Sequence, residues 1–481
     1  MVMAGVLALS MLFTACGGST GTTTPTSSAE QNNSTDPSTE TTEANFVVPE
    51  VGYDGSEVTI TFYHTMGSSL RDVLDAYIEE FNKLYPNIHV EHEQTGGYDD
   101  VRNQISTELT VGGGPNIAYC YPDHVALYNI AGATVQLDNL IDSQIEVTRA
   151  DGTTEILGLT DAQKSDFIEG YYNEGLSYGD GHMYTLPFSK STEVLYYNKT
   201  FFDANGLSVP TTWDEMEDLI QMIKLIDPSS TPLGYDSEAN WFITMCEQGG
   251  SAYTSATGEH FLFNNDANKA FVKRFRNWYQ KGYVTTQQLN GDYTSNLFTA
   301  TTGTRCYMSI GSSAGATHQR PTANDDGTYP FEVGIASIPQ LDTENPKVIS
   351  QGPSIVILNK TNPQEVIASW LFVKFLTTSA EFQAEFSMAS GYVPVIKSVS
   401  ENAIYADFLA NADGGNNIAA LAAKVCLDQE SAYYVSPAFN GSSKARDAVG
   451  ALMQACFILE NDSTLDADID AAFEKAIADC K

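Results

Sequence analysis

Two kinds of side chain that recognise hydroxyl-rich molecules are abundant in this 481-residue chain, which contains 25 Tyr and 4 Trp beside 61 Asp and Glu. Flat rings cover C–H surfaces, and carboxylates accept hydrogen bonds from hydroxyls. Tyr63 and His64 follow the first predicted strand, and ligands of open α/β sheets lie beyond the carboxyl ends of strands. These two residues are therefore candidates for a binding cleft, with simple packing of the loop as the alternative.

The charge balance excludes one large class of partner. Twenty-four basic residues against 61 acidic ones give a formal charge of −37, which repels nucleic acids and anionic lipid headgroups. The hydrophobic share of 42% is enough for a large core, and the length suggests two or three domains. The seven cysteines include no CxxC pair, and the six after Cys16 are either thiols or form up to three bridges.

The first residues resemble a bacterial lipoprotein signal. Leu12-Phe13-Thr14-Ala15-Cys16 is an apolar run closed by small residues before a cysteine, a pattern that directs cleavage and lipidation. We therefore expect a signal peptide at 1–15, a lipid on Cys16, and a polar tether over 16–50 that holds the protein on the extracellular face of the cell membrane. An ordinary secretion signal with an incidental cysteine is the alternative. The first basic residue is Arg71, which leaves open a start upstream of Met1.

Strands and helices alternate in the first part of the chain. Apolar residues from Leu70 to Leu84 recur at three and four residues, which predicts an amphipathic helix that ends before Pro86. Alternation of this kind predicts right-handed βαβ units and a mostly parallel sheet. The neighbouring predicted elements are strands at 58–62, 88–91 and 117–120 and helices at 99–110 and 123–131.

A second series of α/β elements follows. Thr212 and Glu215 have the spacing of a capping box, which predicts the start of a helix. Further strands are predicted at 184–187 and 194–197, and further helices at 268–281, 365–376 and 447–459. The sequence therefore predicts two α/β bodies, with no internal repeat.

Three motifs of the second series stand in a recognisable order: Leu186-Pro187-Phe188, Val194-Leu195-Tyr196-Tyr197-Asn198-Lys199 and Pro210-Thr211-Thr212-Trp213-Asp214-Glu215. They resemble the extracellular solute-binding proteins of ABC importers, a family that includes maltose and glycerol-3-phosphate binding proteins. Supporting matches occur at 112–116, 305–308, 333–335 and 391–394. Order and spacing agree over most of the chain.

The resemblance implies an α/β fold of the type II periplasmic-binding-protein class, in which two lobes close about a hinge over a ligand in the cleft. By analogy, the N-terminal lobe takes residues 55–187 and 333–359, and the C-terminal lobe takes 188–332 and 360–481. The resemblance also implies capture of a sugar or related polyol and its delivery to the transmembrane permease subunits of an ABC importer. We expect a monomer that uses no cofactor.

Individual ligand positions carry over from the glycerol-3-phosphate binding group, whose opening motif is similar to residues 62–66. The alternatives to ligand contact are a helix N-cap for Asp123, a core indole for Trp241 and a simple turn at Gly352. The matching positions are Tyr98, Asp123, Ser191, Trp241, Ser312, Ser313, Gly352 and Tyr392.

One departure from that group bears on the ligand. An arginine in the group's C-terminal segment helps to hold the phosphate, and Ala438 aligns with it here. Lys190, Lys444 or Arg446 could substitute, but lysine lacks the planar fork that suits phosphate. Because the chain is so acidic, we expect a neutral sugar or oligosaccharide, with glycerol-3-phosphate or a glycerophosphodiester as the alternative.

Enzymes and metal-binding proteins are the competing classes. Neither a His-Glu-x-x-His zinc motif nor a Gly-x-x-x-x-Gly-Lys phosphate loop occurs, and we expect no catalysis. A surface glycan-active enzyme or a sugar sensor is the alternative. Strand alternation sends His89, Glu91 and Glu93 to one face and His92 to the other. We therefore expect no metal site in this cluster.

Overall fold

The computed structural model describes residues 46–481. Cys16, the predicted signal peptide at 1–15 and most of the predicted tether at 16–50 lie outside the described residues. The last residues of that tether contact the folded part, since Phe46 and Val48 pack against the first hydrophobic core. Within residues 46–481, no helix has both the length and the apolar character needed to cross a membrane.

Regular elements run through the whole described region. The strands are β1 (Val58–His64), β2 (Ile88–Gln94), β3 (Ile117–Cys120), β4 (Glu146–Thr148), β5 (Thr154–Ile156), β6 (Thr185–Pro187), β7 (Ser191–Asn198), β8 (Leu233–Tyr235), β9 (Val284–Thr286), β10 (Met308–Ser312), β11 (Val333–Ser337), β12 (Val348–Gln351), β13 (Ser354–Ile357) and β14 (Tyr433–Tyr434). The helices are α1 (Ser68–Leu84), α2 (Tyr98–Leu109), α3 (Pro122–Ile130), α4 (Asp138–Ile141), α5 (Asp161–Asp166), α6 (Glu169–Asn173), α7 (Lys199–Asn205), α8 (Trp213–Ile226), α9 (Glu238–Gly249), α10 (Asp266–Gln280), α11 (Gln287–Asn290), α12 (Ser295–Phe298), α13 (Pro363–Thr377), α14 (Ala380–Met388), α15 (Ala403–Ala410), α16 (Ile418–Asp428), α17 (Ser442–Phe457) and α18 (Leu465–Cys480).

The first lobe is built on a five-stranded sheet in the order β2-β1-β3-β13-β6. Val58, Ile60 and Phe62 alternate along β1 as buried residues, and α1 adds Leu74 and Phe81 to the same core. β1 runs parallel to β2 and β3, whereas β13 runs antiparallel to β3 and β6. The predicted mostly parallel sheet is therefore mixed, because β13 enters it from β12 of the second sheet and runs antiparallel to both of its neighbours.

The second lobe is built on a seven-stranded sheet in the order β14-β12-β7-β10-β8-β9, with β11 also paired to β7. β10, β8 and β9 are parallel, and β7 is antiparallel to β10. The core of this lobe contains three of the four tryptophans, Trp213, Trp241 and Trp278. The predicted capping box of α8 is confirmed, because Thr212 Oγ1 accepts from the Glu215 N–H at 3.1 Å.

The chain passes between the two sheets three times, at β6–β7, at β12–β13 and between β13 and β14. The first two of these segments lie side by side. Lys190 is fully buried there, with its ammonium 2.7 Å from a carboxylate oxygen of Glu174 and 3.0 Å from Ser354 Oγ. Gly352 lies alongside with φ +89°, and a Cβ at this position would lie 2.5 Å from the Ser189 carbonyl oxygen. Glycine is required for so close an approach. The ion pair and the turn hold the crossing segments together.

The lobes depart from the predicted boundaries in two segments. β11 and β12 lie in the 333–359 segment predicted for the N-terminal lobe, but both pair with β7 of the second sheet. α13 and α14, predicted with 360–481 for the C-terminal lobe, bury their apolar residues in the first core, where Trp370 Nε1 donates to the Leu157 carbonyl oxygen at 2.7 Å. Strand pairing therefore assigns β11 and β12 to the second lobe, and apolar burial assigns α13 and α14 to the first.

The cysteines after Cys16 are thiols. All six are buried and form no disulfide bond, so the alternative of up to three bridges does not apply. Burial raises their pKa, to about 12 for Cys456, so these groups are unreactive parts of the core.

Candidate ligand-binding cleft

A cleft of about 1030 Å³ has walls from both lobes. The first lobe contributes the N-terminal ends of α2 and α3, and the second contributes residues at the edge where β7 begins and β8 and β10 end. Open α/β sheets place their ligands at such an edge. Small-molecule sites usually measure about 300 to 1,000 Å³, so this cleft is at the large end of the range.

Three tyrosines form one wall of the cleft. Tyr98 stacks on Tyr121 with ring centroids 4.5 Å apart, and its hydroxyl lies 3.2 Å from the hydroxyl of Tyr392. Burial raises the pKa of all three phenols. They are therefore neutral groups that offer a flat face and a hydroxyl that donates or accepts.

A hydrogen-bonded network lies on the opposite wall. The Glu193 carboxylate accepts from the Tyr235 hydroxyl at 2.5 Å and from Asn240 Nδ2 at 3.0 Å. The Asn240 amide oxygen accepts in turn from Arg446 Nη2. Burial raises the pKa of Glu193 to about 7, although the hydrogen bonds from Tyr235 and Asn240 act against this shift. An acid that is half protonated near neutral pH thus lies close to a permanent positive charge.

Negative groups outnumber positive ones on the cleft walls. Arg446 is the one arginine or lysine among the residues that line the described cleft; burial opposes its charge, but the nearby Asp123 carboxylate raises its pKa. Burial lowers the pKa of His124 and keeps that ring neutral. The carboxylates that line the cleft are Asp99, Asp100, Glu193, Asp236 and Asp447. This surplus favours hydroxyl donors over a doubly charged anion.

The buried acid predicts a pH-dependent stability. Between pH 4.5, the usual pKa of a glutamate, and pH 7, the folded protein holds a proton on Glu193 that the unfolded chain has released. The free energy of unfolding therefore falls as pH rises through this window. Glu193→Gln removes the titration, so we expect the variant to gain about 2 kcal/mol relative to the natural protein between pH 5 and pH 8. Urea unfolding at both pH values measures this difference.

Glu401→Gln is the matched control, because Glu401 is exposed and its substitution is expected to leave the pH dependence unchanged. Parallel pH profiles for the natural protein and Glu193→Gln would show that Glu193 ionises normally in the folded state.

The ten predicted site residues separate into three groups. Asp123 lines a smaller neighbouring cavity of about 60 Å³, where its Oδ2 accepts from Ser443 Oγ at 3.1 Å. The four that line neither cavity are Tyr63, His64, Trp241 and Ser313. The five that line the cleft are Tyr98, Ser191, Ser312, Gly352 and Tyr392.

The predicted cleft position of Trp241 is wrong. Its indole is fully buried in the second core, stacked on Tyr235 at 4.6 Å and in contact with Phe275 at 4.3 Å between ring centroids. The preceding residue, Asn240, lines the cleft. Successive helical residues are rotated by about 100°, so α9 turns Asn240 to the ligand side and Trp241 into the lobe.

Tyr63 and His64 belong to β1 itself, which is longer than predicted, and neither lines the cleft. His64 is fully buried, with its Nε2 2.8 Å from His92 Nδ1 and its Nδ1 accepting from the Met66 N–H at 3.1 Å. Burial lowers the pKa of His64 to about 3, so the ring is neutral. Tyr63 packs against the core cluster of α2 and β3.

Ser313 is a structural residue. Residues 311–315 have the Gly-x-Ser-x-Gly spacing of a hydrolase nucleophile elbow, but the Ser313 hydroxyl is buried, accepts from the Thr192 N–H at 3.3 Å and lies 3.4 Å from Cys426 Sγ. Within the described residues, no histidine is hydrogen-bonded to it.

Arg446, and not the residue at position 438, is the arginine that lines the cleft. Ala438 is buried and lines neither cavity. Lys190 is held by Glu174, and Lys444 is exposed on the outer face of α17. Arg446 lines both cavities.

Other cleft residues escape prediction from the sequence. Glu193 has a local signal, because it lies two positions after Ser191 on the same strand and must share its face. Asp236 and Asn240 have no such signal. Only the pairing of β8 with β10 brings their segment to the cleft.

Comparison with known proteins agrees with this geometry. Residues 76–412 match the family model of the bacterial extracellular solute-binding proteins. The chain belongs to that family. This solute-binding protein is 23% identical over 358 residues to the sn-glycerol-3-phosphate-binding periplasmic protein UgpB of Salmonella typhimurium, a match that covers 71% of this chain and 75% of the relative. UgpB of Escherichia coli K12 is also 23% identical, over 355 residues.

Solved structures share the fold. UgpB of Mycobacterium tuberculosis in complex with glycerophosphocholine superposes with a TM-score of 0.67 at 18% identity, covering 88% of this chain and 97% of that one. An ABC substrate-binding protein of Listeria monocytogenes in complex with cycloalternan gives 0.68 at 17% identity, with 88% and 97% covered. MalE of Bdellovibrio bacteriovorus bound to maltotriose gives 0.63 at 19% identity, with 88% and 98% covered. The predicted family and two-lobed type II fold are confirmed.

Family membership gives the general function of the protein without naming its ligand. It is an extracellular solute-binding protein of ABC import, as the sequence motifs predict. The relatives are binding proteins rather than enzymes.

Proposed function

We propose that this solute-binding protein captures a neutral oligosaccharide in its cleft and delivers it to the permease subunits of an ABC importer. The observation that carries the proposal is the chemistry of the cleft walls, which present carboxylates, amides and tyrosines with a single arginine. Carboxylates and amides accept from sugar hydroxyls, and the rings cover C–H faces. The surplus of carboxylates repels a phosphate dianion.

The size of the cleft supports the same ligand class. At about 1030 Å³ it has room for more than one sugar ring. Proteins of the same fold have been solved with maltotriose and with cycloalternan, which adds support.

A glycerophosphodiester is the second candidate. Arg446 lies where the cleft meets the smaller cavity, and one arginine balances the single charge of a phosphodiester. The complex of Mycobacterium tuberculosis UgpB with glycerophosphocholine supports this candidate.

We also infer that the bound ligand leaves the cleft chemically unchanged and that the protein acts as a monomer. Lipidation of Cys16 would hold it on the extracellular face of the cell membrane, with the segment before Phe46 as the tether. A role as a sugar sensor in place of import is the alternative use of the same cleft.

A thermal-shift panel tests the proposal with the full chain carrying Cys16→Ala. The probes are maltotriose, cellotriose, glycerol-3-phosphate and glycerophosphocholine. A ligand at 100 times its dissociation constant stabilises the folded state by about 2.7 kcal/mol, so a matching trisaccharide is expected to raise the melting temperature by about 2 to 5 °C. A rise in melting temperature with glycerophosphocholine alone would favour the second candidate. Chromatography of the trisaccharides after incubation checks for catalysis, and shortened glycans would show that the protein is an enzyme.

A further inference from the structure

His64 and His92 form a hydrogen-bonded pair of histidines in the first lobe. His64 is fully buried at the end of β1, and its Nε2 lies 2.8 Å from Nδ1 of His92 on β2. His92 is partly exposed, and its own Nε2 lies 2.8 Å from Asp75 Oδ1 of α1. The three side chains thus form a chain of hydrogen bonds from the protein surface to the interior.

The contacts of His64 fix the positions of the ring protons. The Met66 N–H donates to His64 Nδ1 at 3.1 Å, so the proton of the neutral His64 ring is on Nε2. His92 Nδ1 must then accept from His64, which leaves the His92 proton on Nε2, where it is donated to Asp75. Every ring nitrogen is therefore in use, and a further proton on the pair must break one of these hydrogen bonds.

The cluster is not arranged around a metal ion. His64 and Asp75 meet different nitrogens of the His92 ring, so the three side chains do not converge on one point. Within residues 46–481, no group of three or more His, Cys, Asp or Glu side chains is placed to hold a metal. The chemistry left to this cluster is the binding of protons.

The turn after β1 depends on this arrangement. Met66 is buried, its N–H is held by His64, and its carbonyl oxygen accepts from Arg71 Nη1 at 3.2 Å. The residue between His64 and Met66 is Thr65, which lines the cleft. His64 therefore positions Thr65 without itself lining the cleft.

Charged groups face the pair from α1. They are the Arg71 guanidinium and the Asp75 carboxylate, whereas β3 contributes the neutral Tyr119 ring, whose centroid is 6.1 Å from that of His64. Burial, together with the charges of His92 and Arg71, lowers the pKa of His64 to about 3, although Asp75 acts against this shift. The positive charge of an added proton therefore belongs on His92, beside Asp75.

We propose that His64 and His92 form a proton-operated switch that releases the Thr65–Met66 turn at acidic pH. When the pair takes up one proton, the Nε2 proton of His64 moves along the hydrogen bond to His92 Nδ1, and His64 takes the incoming proton on Nδ1. His92 becomes the cation beside Asp75, and His64 stays neutral. Because His64 Nδ1 is now a donor, the buried Met66 N–H loses its acceptor. The order of the cleft wall at Thr65 therefore depends on pH, whatever ligand the cleft binds.

Nuclear magnetic resonance of the full chain carrying Cys16→Ala tests the switch without a ligand, with nitrogen-15 in the histidine rings and in the methionine amides. Spectra at pH 7.5 and pH 5 span the usual titration of histidine. We expect the ring proton of His64 to be on Nε2 at pH 7.5 and on Nδ1 at pH 5. The protection of the Met66 amide from hydrogen exchange, corrected for the intrinsic rate at each pH, is expected to fall about 10-fold.

Two substitutions on β2 separate the switch from a general effect of acid. His92→Gln keeps both hydrogen bonds without a titrating ring, because its amide oxygen accepts from His64 and its amide nitrogen donates to Asp75. The protection of Met66 in this variant is expected to stay within 2-fold between the two pH values. His89→Gln is the matched control, since His89 is exposed and pairs with Glu57, and it is expected to keep the 10-fold fall.

Met308 is the internal reference, because its N–H is bonded in the second lobe, to the Pro232 carbonyl oxygen at 3.0 Å. Equal losses of protection at Met66 and Met308 would overturn the switch, since the whole chain would then be loosened by acid. An unchanged protection of Met66 at pH 5, with the His64 proton still on Nε2, would overturn it as well. So would equal losses in His92→Gln and in the natural chain. If His92→Gln does not fold, the ring proton of His64 in the natural chain decides between these outcomes.

Discussion

Trp241→Ala is expected to lower the free energy of unfolding by about 4 kcal/mol, within the range of 3 to 5 kcal/mol seen when large aromatic residues are removed from cores. The indole is fully buried and packs on Tyr235, Phe275 and Trp213. Its removal leaves a cavity that this aromatic cluster cannot fill by collapse. Urea unfolding monitored by circular dichroism measures the loss.

Trp241→Phe is the matched control, because it keeps a ring against Tyr235 and is expected to cost less than half as much. The variant also separates a core role from a ligand role. Unchanged stability together with lost ligand binding would place the indole in the cleft and contradict the structure.

Arg446→Met is expected to weaken oligosaccharide binding about 100-fold, or nearly 3 kcal/mol. Arg446 is the one guanidinium on the cleft walls and the donor to the Asn240 amide oxygen. Hydrogen bonds from charged donors contribute about 1.5 to 3 kcal/mol each. The substitution also leaves Asn240 and Asp123 without a positive neighbour, so the cleft loses a donor and becomes more negative. Calorimetric titration of the trisaccharide that stabilises the protein best measures the effect.

Lys444→Met is the matched control for charge. Lys444 lies two residues earlier on α17 and is exposed, so its removal changes the net charge equally without touching the ligand. We expect its effect to stay within 2-fold. Equal losses of trisaccharide affinity in the two variants would indicate a long-range charge effect and would show that Arg446 does not contact the ligand.

Elements with strong local signals are predictable from the sequence. The spacing from Leu70 to Leu84 predicts α1, and the structure extends this helix to Ser68. The predicted strand at 117–120 coincides with β3. The helical period of α1 and the apolar run of β3 are local patterns, bounded by Pro86 and by Pro115 and Pro122, so no distant partner is needed to predict them.

The assignment of segments to lobes depends on distant partners. β11 joins the second sheet because β7 is there to pair with it, and α13 covers the first core because Trp370 reaches Leu157. Neither partner is adjacent in sequence, so the residues of these segments do not themselves show which lobe they join.

The candidate site shows the same division. Ser191 and Glu193 share a face of one strand, and the motif around Tyr98 identifies a position that does line the cleft. Asn240 and Trp241 are neighbours on α9, and the orientation of this helix places Asn240 in the cleft and Trp241 in the core. The apolar residues around Trp241 set that orientation, and no sequence motif reports it. Arg446 enters the cleft only because α17 packs against α9 and α3.

Calorimetric titration of the full chain carrying Cys16→Ala, with neutral trisaccharides and with glycerol-3-phosphate at pH 7.5, tests the proposed ligand class directly. We expect one trisaccharide to bind per chain for at least one linkage type, and glycerol-3-phosphate to bind at least 100-fold more weakly, because the cleft carries five carboxylates against one arginine. Tight binding of glycerol-3-phosphate with no binding of any trisaccharide would contradict the proposed ligand class.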